Sequence, residues 1–495
     1  TYISIPNSVT IIERSAFRYC SSLLNITLPN SLTSIGEYAF SSTRLAYILI
    51  PNSVTIIGRY AFYSCSSLLS ITLPNSLTSI AEYTFSFAKL AYILIPNSVT
   101  IIEQYAFYYC SSLLGITLPN SLISIGEYAF SSIGLTYISI PNSVTIIEQY
   151  AFSYCSNLLS IALPDSLTII SQRAFSSSGL TSISIPNSVT IIEQYAFSSC
   201  SNLLRIALPD SLTSIGQGAF SYCQSLQCIL MPDRVMSIES SAFYRCFSLS
   251  FIRIPPGVTE LHTYTFYDCI SLVNVTIEGQ LTLLETYTFD NCSKLERIAI
   301  SGNNLQLETY CFHDSCSSLQ TIIIYGSVSL MEMYAFYGIA SLSSITVTGN
   351  IRAMGELVFN HCTSLIEFIY LGQIQPTYYK NTLNSCGLSY INTLTSYPAT
   401  TFCGKSVRKY PQISAPSFSL PECHVPSPLF SPSNTFSFSS YFTSSSIFSS
   451  SIQFSASASF SSSQLFSMST QFTNSDSFPS TQSFSLSYIF SRSND

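Results

Sequence analysis

The sequence predicts an α/β repeat solenoid, with a parallel β-sheet on one face and short helical or 3-10 turns on the opposite face. Three observations support this fold class. The string IPNSVTIIEQYAF occurs three times, at starts 45 residues apart. A phenylalanine recurs every 22 to 24 residues, and a short segment of alternating apolar and polar residues follows it. Sequence similarity at a fixed period is the signature of stacked repeats.

The phenylalanines of the AF and TF pairs mark the repeats. In the first half of the chain their spacing alternates between 23 and 22 residues, so the copied unit is a pair of repeats. The shorter member lacks one residue in the turn where the longer member carries a cysteine. The sixteen markers are Phe17, Phe40, Phe62, Phe85, Phe107, Phe130, Phe152, Phe175, Phe197, Phe220, Phe243, Phe266, Phe289, Phe312, Phe336 and Phe359.

Each repeat is expected to contribute one short strand. The LxxIxI segment alternates as a strand does, and the proline that follows it cannot donate to a ladder, so the strand ends there. A second extended piece such as SVTII comes next, and the EQYAFxxC stretch has room only for a short helical or 3-10 turn. One repeat cannot bury its own apolar face. Consecutive strands are therefore expected to stack in parallel, about 4.8 Å apart.

The combination of LxxIxIP with a repeating AFxxC resembles the BspA-like leucine-rich repeats of bacterial and protozoan surface antigens, over residues 1–370. The resemblance implies a curved leucine-rich-repeat superhelix that acts at the cell surface in adhesion and in contact with host or matrix. Ordinary leucine-rich repeats place Asn or Cys where this chain has Ser143, followed directly by Val144. This departure indicates the BspA-like subtype.

Composition argues against nucleic acid and membrane insertion. Only 9% of the residues are charged, the net charge is −7, and the 18 Lys and Arg residues form no basic run, so no nucleic-acid partner is expected. No stretch approaches the roughly 18 to 20 apolar residues of a membrane helix, so no transmembrane span is predicted. The chain starts at Thr1 inside a repeat, which predicts a fragment or a processed form and leaves a secretion signal open.

Most of the 16 cysteines are predicted to be buried free thiols. Up to Cys200 they recur at every second turn, about 10 Å apart, which exceeds the roughly 7 Å that a disulfide can span. Cys386, Cys403 and Cys423 lie outside the repeats and are the better disulfide candidates. Eleven cysteines share one repeat position: Cys20, Cys65, Cys110, Cys155, Cys200, Cys223, Cys246, Cys269, Cys292, Cys316 and Cys362.

The sequence predicts no catalytic residue, no cofactor and no metal site. The stretch ATTFCGKS at 399–406 ends like a phosphate-binding loop, but Ala399 replaces the first glycine and no strand-then-helix unit surrounds it. Carboxylates that recur at one repeat position, Glu103, Glu148 and Glu193, are typical of a solvated turn. The histidines have no HExxH or CxxC companions and are expected in solvent-facing loops: His262, His313, His361 and His424.

The outward face of the predicted sheet is the candidate ligand-contact surface. If the Leu and Ile residues of LxxIxI point inward, the residues between them point outward, and such faces are where solenoids bind their ligands. A weakly charged face rich in tyrosine suits protein or glycan ligands better than small-molecule chemistry. The alternative is that Thr and Tyr are simply good strand residues. The candidate contact residues are Tyr47, Tyr92, Tyr137, Arg205, Phe251, Arg253 and Arg297.

Three regions are predicted. Residues 1–370 form the solenoid of about 16 repeats, residues 371–426 form a C-terminal cap and a Pro-rich linker, and residues 427–495 form a low-complexity tail rich in Ser and Phe. Phenylalanines in the tail are spaced six residues apart from Phe430 to Phe490. A helix would distribute rings with this spacing over all of its faces, so the tail is not expected to be helical. A disordered or O-glycosylated stalk is the first interpretation, and a small hexapeptide-type β-solenoid is the second.

These observations favour a non-enzymatic binding and adhesion protein, at the cell surface or secreted as the resemblance implies. The alternative is an intracellular scaffold whose thiols stay reduced and whose Phe/Ser tail recruits partners. The sequence does not identify the ligand or the oligomeric state.

Overall fold

The computed structural model describes residues 1–313 and 316–413, which form a β-solenoid of stacked coils. They belong to one compact unit, Thr1–His424. The second unit, Val425–Asp495, lies outside the described residues, and so do the predicted tail and the Pro-rich part of the linker.

One sheet, called here the first sheet, contains the strand of each LxxIxI segment. In its three-residue strands the central Ile is buried, or partly buried at Ile3 and Ile116, and the flanking residues point outward. Its strands are β1 Tyr2–Ser4, β3 Asn25–Thr27, β5 Tyr47–Leu49, β7 Ser70–Thr72, β9 Tyr92–Leu94, β11 Gly115–Thr117, β13 Tyr137–Ser139, β15 Ser160–Ala162, β17 Ser182–Ser184, β19 Arg205–Ala207, β21 Cys228–Ile229, β23 Phe251–Ile254, β25 Asn274–Ile277, β27 Arg297–Ser301, β29 Thr321–Tyr325, β31 Ser344–Val347, β33 Glu367–Tyr370, β35 Tyr390–Leu394, β36 Thr401–Phe402 and β37 Lys405–Tyr410.

The second extended piece of each coil forms the second sheet, in which one residue of each two-residue strand is buried except in the last strand, Thr377–Tyr378, where both are exposed. The strands are β2 Ile11–Ile12, β4 Ser34–Ile35, β6 Ile56–Ile57, β8 Ser79–Ile80, β10 Ile101–Ile102, β12 Ser124–Ile125, β14 Ile146–Ile147, β16 Ile169–Ile170, β18 Ile191–Ile192, β20 Ser214–Ile215, β22 Ser237–Ile238, β24 Glu260–Leu261, β26 Leu283–Leu284, β28 Leu305–Leu307, β30 Val328–Met331, β32 Ile351–Met354 and β34 Thr377–Tyr378.

Pairing between coils is parallel, as predicted, and equivalent residues face each other, as in Ile48 with Ile71. In the first half, the first sheet is divided into two-stranded ladders: β1–β3, β5–β7, β9–β11, β13–β15 and β17–β19. The four interruptions between these ladders occur where the first residues of two consecutive strands are 22 residues apart in the sequence; within each ladder they are 23 apart. From β21 onward the first sheet is continuous. The copied 45-residue pair is therefore also the hydrogen-bonded unit of the first sheet.

The core is a column of stacked phenyl rings between the two sheets and the turns. The prediction that the marker phenylalanines are core residues is confirmed, since Phe40 to Phe359 are fully buried and Phe17 of the first coil is partly buried. Each ring stacks on the next, with centroids 5.1–5.8 Å apart along the column. Because each coil from Phe17 to Phe359 supplies one ring, neighbouring coils share the burial of each phenylalanine.

The predicted helical or 3-10 turns, and with them the α/β class, are wrong, because no helix occurs in residues 1–313 and 316–413. Tyr105 and Tyr109 have φ of 57° and 60°, in the left-handed region, which breaks a right-handed helix. Alternate amides donate to the next coil, as Phe107 N–H does to Ala129 C=O at 2.8 Å. The turn backbone is therefore satisfied between coils instead of along a helix axis.

The described chain ends in the antiparallel hairpin β36–β37, whose turn has positive φ at Cys403 and Gly404. Strand β37 also pairs in parallel with β35, so the hairpin forms the last two strands of the first sheet. The stretch that ends like a phosphate-binding loop lies in this hairpin. Its GKS letters lead into a strand instead of a helix, so the match is accidental.

Candidate functional site

The outward face of the first sheet consists of two columns of side chains. The first residue of each strand forms one column and the third residue forms the other, as Tyr92 and Leu94 do on β9, while Ile93 between them is buried. Register places Tyr92 opposite Gly115 and Leu94 opposite Thr117 on the next strand. Two continuous rows of side chains therefore run across the strands.

The three predicted tyrosines lie in the first column and are strongly exposed: Tyr47 by 48%, Tyr92 by 62% and Tyr137 by 56% of their surface. Each faces a small residue on its ladder partner, as Tyr137 faces Ser160. Tyr2 occupies the same position on β1 and is 64% exposed. The structure therefore puts these tyrosines in one line but in alternate coils.

The four later candidates lie on the same face, with a different environment. Arg205 and Arg297 are exposed and belong to the first column, whereas Phe251 is half-buried there. Arg253 belongs to the second column, where its guanidinium donates to Asp233 at 2.5 Å and forms an ion pair with Glu278. Because two carboxylates neutralise Arg253, this part of the face is less basic than the sequence indicates.

A row of exposed leucines borders the face and was not among the predicted contact residues. In the coils that read LL before the strand, the first leucine is buried and the second is 44–60% exposed. The recurring LL pair is the sequence signal that could have identified them. They are Leu24, Leu69, Leu114, Leu159 and Leu204. Together with Leu49 and Leu94 they make the first half of the face apolar.

The turns carry a second aromatic column, which sequence reasoning missed. The rings of Tyr38, Tyr60, Tyr83, Tyr105, Tyr128 and Tyr150 stack in order, with centroids 4.4–4.8 Å apart. We call this set the tyrosine ladder. Burial in the stack, followed by the neighbouring Tyr83, raises the pKa of Tyr60 and of Tyr105 to about 12. Both faces of each inner ring are covered by the neighbouring rings. The ladder therefore stabilises the turns, and a ligand could contact only the edges of these rings.

The tyrosine ladder ends where the sequence changes. Arg173 takes the next place, and its guanidinium lies 5.5 Å from the ring centroid of Tyr150 and 4.7 Å from that of Tyr195. Gly218 follows, with φ of +59°, and a Cβ there would lie 2.4 Å from the ring of Tyr195. A cation–π bridge and a glycine therefore interrupt the stacked rings after Tyr150, and stacking resumes from Tyr264 to Tyr334 with centroids 5.4 Å apart.

Ten of the eleven cysteines at the shared repeat position are buried free thiols, as predicted. Each donates its S–H to the carbonyl of the marker phenylalanine of the coil before, at 3.0–3.3 Å, as Cys155 does to Phe130. Burial raises the pKa of the Cys110 and Cys155 thiols to about 12. Cys20 is the exception, because it lies exposed on the first coil.

The expected disulfide candidates are free where the structure describes them. Cys386 and Cys403 are both free thiols, and the Cys403 Sγ lies 3.7 Å from the sulfur of Met354. Cys423 lies outside the described residues. The two described candidates therefore do not bond to each other.

Polar groups in the turns pair with neighbouring coils. His262 Nδ1 lies 3.0 Å from a Glu285 oxygen, and a Glu193 oxygen accepts a hydrogen bond from the Gln172 N–H at 2.8 Å. These side chains therefore link the turns of adjacent coils instead of contacting only solvent. Within residues 1–313 and 316–413, no group of three or more His, Cys, Asp or Glu side chains is arranged to hold a metal ion. The described segments also contain no helix long and apolar enough to cross a membrane. His424 is not described.

Comparison with protein families identifies the repeats. The family model described as BspA type leucine-rich repeat region, in six copies, matches residues 1–113, 78–204, 190–315 and 313–407. These matches cover more than half of the chain. A search of curated proteins finds no match.

The solved structures to which the chain is similar include two leucine-rich repeat proteins and one vaccine antigen. One from Bacteroides ovatus is 26% identical over 82% of both chains, with a TM-score of 0.41. A leucine-rich cell surface protein from Faecalibacterium prausnitzii is 28% identical over 56% of this chain and 88% of its own, with a TM-score of 0.38. The pneumococcal vaccine antigen PcpA is 17% identical over 83% and 89%, with a TM-score of 0.39.

Proposed function

The chain belongs to the family of BspA-type leucine-rich repeat proteins, and from this membership we propose that it is a non-enzymatic binding protein. Its ligand, a protein or a glycan, contacts the outward face of the first sheet. It acts at a cell surface or after secretion, in adhesion to host, matrix or microbial ligands, which is what resemblance to this family implies.

The observation that supports the proposal is the exposure of large apolar side chains on a rigid, repeated surface. Tyr47, Leu49, Tyr92, Leu94 and Tyr137 are each about half exposed or more, although the folded chain could have carried polar residues at these positions. Apolar surface that is contiguous and exposed marks an interaction site in proteins that are otherwise soluble. Tyrosine is also enriched at the centres of interfaces.

The repetition of the face supports binding rather than catalysis. Each side chain of the face has counterparts in other coils, as Tyr47 has in Tyr92 and Tyr137. A catalytic site needs one set of different groups within hydrogen-bond reach of one another. A repeated surface instead gives many equivalent contacts to an extended ligand.

A binding array with face variants tests the proposal. The full chain and the triple variant Tyr47→Ser/Tyr92→Ser/Tyr137→Ser are applied to purified matrix proteins and to oligosaccharides. Serine stands at the equivalent place in neighbouring coils, at Ser70 and Ser160, so the variant is expected to fold. The matched control is Tyr154→Ser, because Tyr154 is exposed in a turn away from the face and Ser199 occupies the equivalent turn position.

We expect the full chain and the control to bind the same ligand and the triple variant to lose that binding. Equal binding by all three proteins would overturn the assignment to this face. Failure of the full chain to bind any protein or glycan on the array would overturn the binding function itself.

A further inference from the structure

The tyrosines of the first column recur at a fixed distance. Tyr2, Tyr47, Tyr92 and Tyr137 are 45 residues apart and stand on β1, β5, β9 and β13, which are every second strand of the first sheet. Two strand spacings amount to about 10 Å. The four phenol rings therefore form a row with a period of two coils along the stacking direction.

Two of the four rings, those of Tyr92 and Tyr2, lean across the neighbouring strand instead of standing away from the sheet. A Cβ on Gly115 would lie 2.8 Å from Cδ1 and 3.1 Å from Cε1 of Tyr92, so the Tyr92 ring leans onto the next strand. The Tyr2 hydroxyl is 3.0 Å from the Thr27 hydroxyl, so this ring also leans across its partner strand. A ring in this position shows one face to solvent.

Small residues separate the tyrosines. Asn25, Ser70, Gly115 and Ser160 occupy the first column between them, and none is large enough to rise above a tyrosine ring that lies on the sheet. The second column beside the rings carries exposed hydroxyls at Ser4, Thr27, Thr72, Thr117 and Ser139, and exposed leucines at Leu49 and Leu94 on the strands of Tyr47 and Tyr92. An extended ligand can therefore contact successive rings and meet hydrogen-bonding groups along one side.

The charge of the face selects a neutral ligand. Strands β1 to β15 of the first sheet contain no ionisable group apart from the tyrosine phenols. A charged polymer would lose hydration on this surface without gaining an opposite charge. The arginines of the face begin only at Arg205, on β19.

We propose that this row of tyrosines binds a neutral β-1,4-linked polysaccharide that lies along the stacking direction. The inference rests on the proposed binding function and names the ligand class of the same face. In a β-1,4-linked chain each sugar is turned over relative to the last, so the same face recurs once per disaccharide. That repeat has the length of two strand spacings, about 10 Å. Every second sugar stacks its C–H face on one tyrosine, and the hydroxyls of the second column bond the sugar hydroxyls.

A protein ligand would not explain the spacing. A folded partner presents a different group at each point, so it does not require identical rings at equal intervals. The glucose and N-acetylglucosamine polymers share the linkage, the neutrality and the repeat, and the test includes both.

Isothermal titration calorimetry of the full chain with hexasaccharides tests the inference. The probes are cellohexaose and N-acetylchitohexaose, and the control is maltohexaose, whose α-1,4 linkage does not repeat in the same way. We expect binding of at least one β-1,4 hexasaccharide, with at least tenfold weaker binding of its disaccharide and of maltohexaose.

Variants distinguish binding that depends on the spacing of the tyrosines from binding that depends only on their number. Tyr47→Ser/Tyr92→Ser/Tyr137→Ser should weaken hexasaccharide binding at least tenfold, and the corresponding Tyr→Phe variant, which keeps the rings, should retain it. The double variant Ser70→Tyr/Tyr92→Ser keeps the number of tyrosines but breaks their spacing, so it should bind as weakly as Tyr92→Ser alone. The turn variant Tyr154→Ser should bind like the parent chain.

The outcomes distinguish this inference from the proposed function. If the hexasaccharides do not bind but a protein ligand binds and is lost in the triple Tyr→Ser variant, the glycan inference fails and the proposed function stands. If the hexasaccharides bind equally to the parent and to the spacing variant, the tyrosine row is not the platform and the inference fails. If no ligand of either class binds, both fail.

Discussion

At the scale of single residues, a marker phenylalanine stabilises three coils at once. Phe152 is fully buried, and its ring centroid lies 5.4 Å from that of Phe130 and 5.8 Å from that of Phe175. We expect Phe152→Ala to lower the free energy of unfolding by about 3–5 kcal/mol, because it removes a large buried side chain and both ring stacks. Urea denaturation followed by circular dichroism measures the change.

Leu159→Ala is the matched control for this substitution. Leu159 belongs to the same repeat, but its side chain is about half exposed on the border of the face, so we expect a change within about 0.5 kcal/mol. Similar denaturation midpoints for both variants would contradict the shared phenyl column.

Thiol reactivity reports the burial of the cysteines residue by residue. Burial raises the pKa of Cys110 and Cys155 to about 12 and of Cys200 to about 11, so at neutral pH almost no thiolate forms in the folded protein. In the native protein we expect iodoacetamide to leave these three cysteines unmodified, and in urea to modify all three. Peptide mass mapping would contradict this if Cys155 reacted in the native protein as fast as in urea.

At the scale of the element, the sequence predicted the strands but not the turns. The alternation in LxxIxI is a direct consequence of strand geometry, so the buried Ile93 and the outward Tyr92 and Leu94 follow from it. The turn depends on left-handed φ at Tyr105 and Tyr109, and tyrosine is not a residue type that favours this region. Its stability comes from bonds to the adjacent coil and from ring stacking, neither of which is a local property.

The tyrosine ladder should make the turns sensitive to alkaline pH. Tyr60 and Tyr105 keep their protons up to about pH 12 when folded, whereas an unfolded tyrosine ionises near pH 10. Between pH 10 and pH 12 the folded state therefore holds more protons than the unfolded state. The stabilisation of the folded state by these protonated phenols is complete below about pH 10 and is lost as the pH rises toward 12.

The double variant Tyr60→Phe/Tyr105→Phe isolates this effect. It keeps the stacked rings but removes two ionisable phenols, so its urea midpoint should fall less steeply than that of the parent from about pH 10 to about pH 12. The other phenols of the ladder remain in both proteins, and the variant also removes the contributions of Tyr105 to the pKa values of Tyr83 and Tyr128. Parallel curves would show that the phenols of the ladder do not couple to folding.

At the scale of the whole molecule, the most informative prediction from sequence was the period. The similar 45-residue copies placed every strand of the first half in register, and they predicted the row of tyrosines because Tyr47, Tyr92 and Tyr137 are copies of one position. The direction in which a ring leans depends on the space above the partner strand, as Gly115 provides for Tyr92. The pairing of Arg253 with Asp233 and Glu278 joins residues from three coils that no periodicity connects.

Deleting Tyr105–Gln149 tests whether the copied pair is an interchangeable unit. The deletion removes 45 residues, joins Gln104 to Tyr150 and regenerates the string IIEQYAFSYC. Tyr92 can then pair with Ser160, as Tyr137 does in the full chain. In a stack where each coil contacts only its neighbours, stability is close to a sum of local terms. We therefore expect the shortened chain to fold cooperatively, with strand content per residue unchanged.

A deletion of similar length but out of register provides the control for this experiment. Removing residues 105–142, which are 38 residues, joins Gln104 to Ser143 and brings a strand-preceding turn into the place of a marker segment. Phe152 then follows Phe85 by 29 positions instead of the 22 that the in-register deletion gives, so Phe152 falls out of register with the ring column and apolar faces become exposed. We expect this variant to aggregate in light scattering while the in-register variant stays monodisperse with the parent circular dichroism spectrum. Equal aggregation of the two variants would mean that the coils are not modular, because in that case neither the register nor the shared phenyl column would determine whether neighbouring coils can stack.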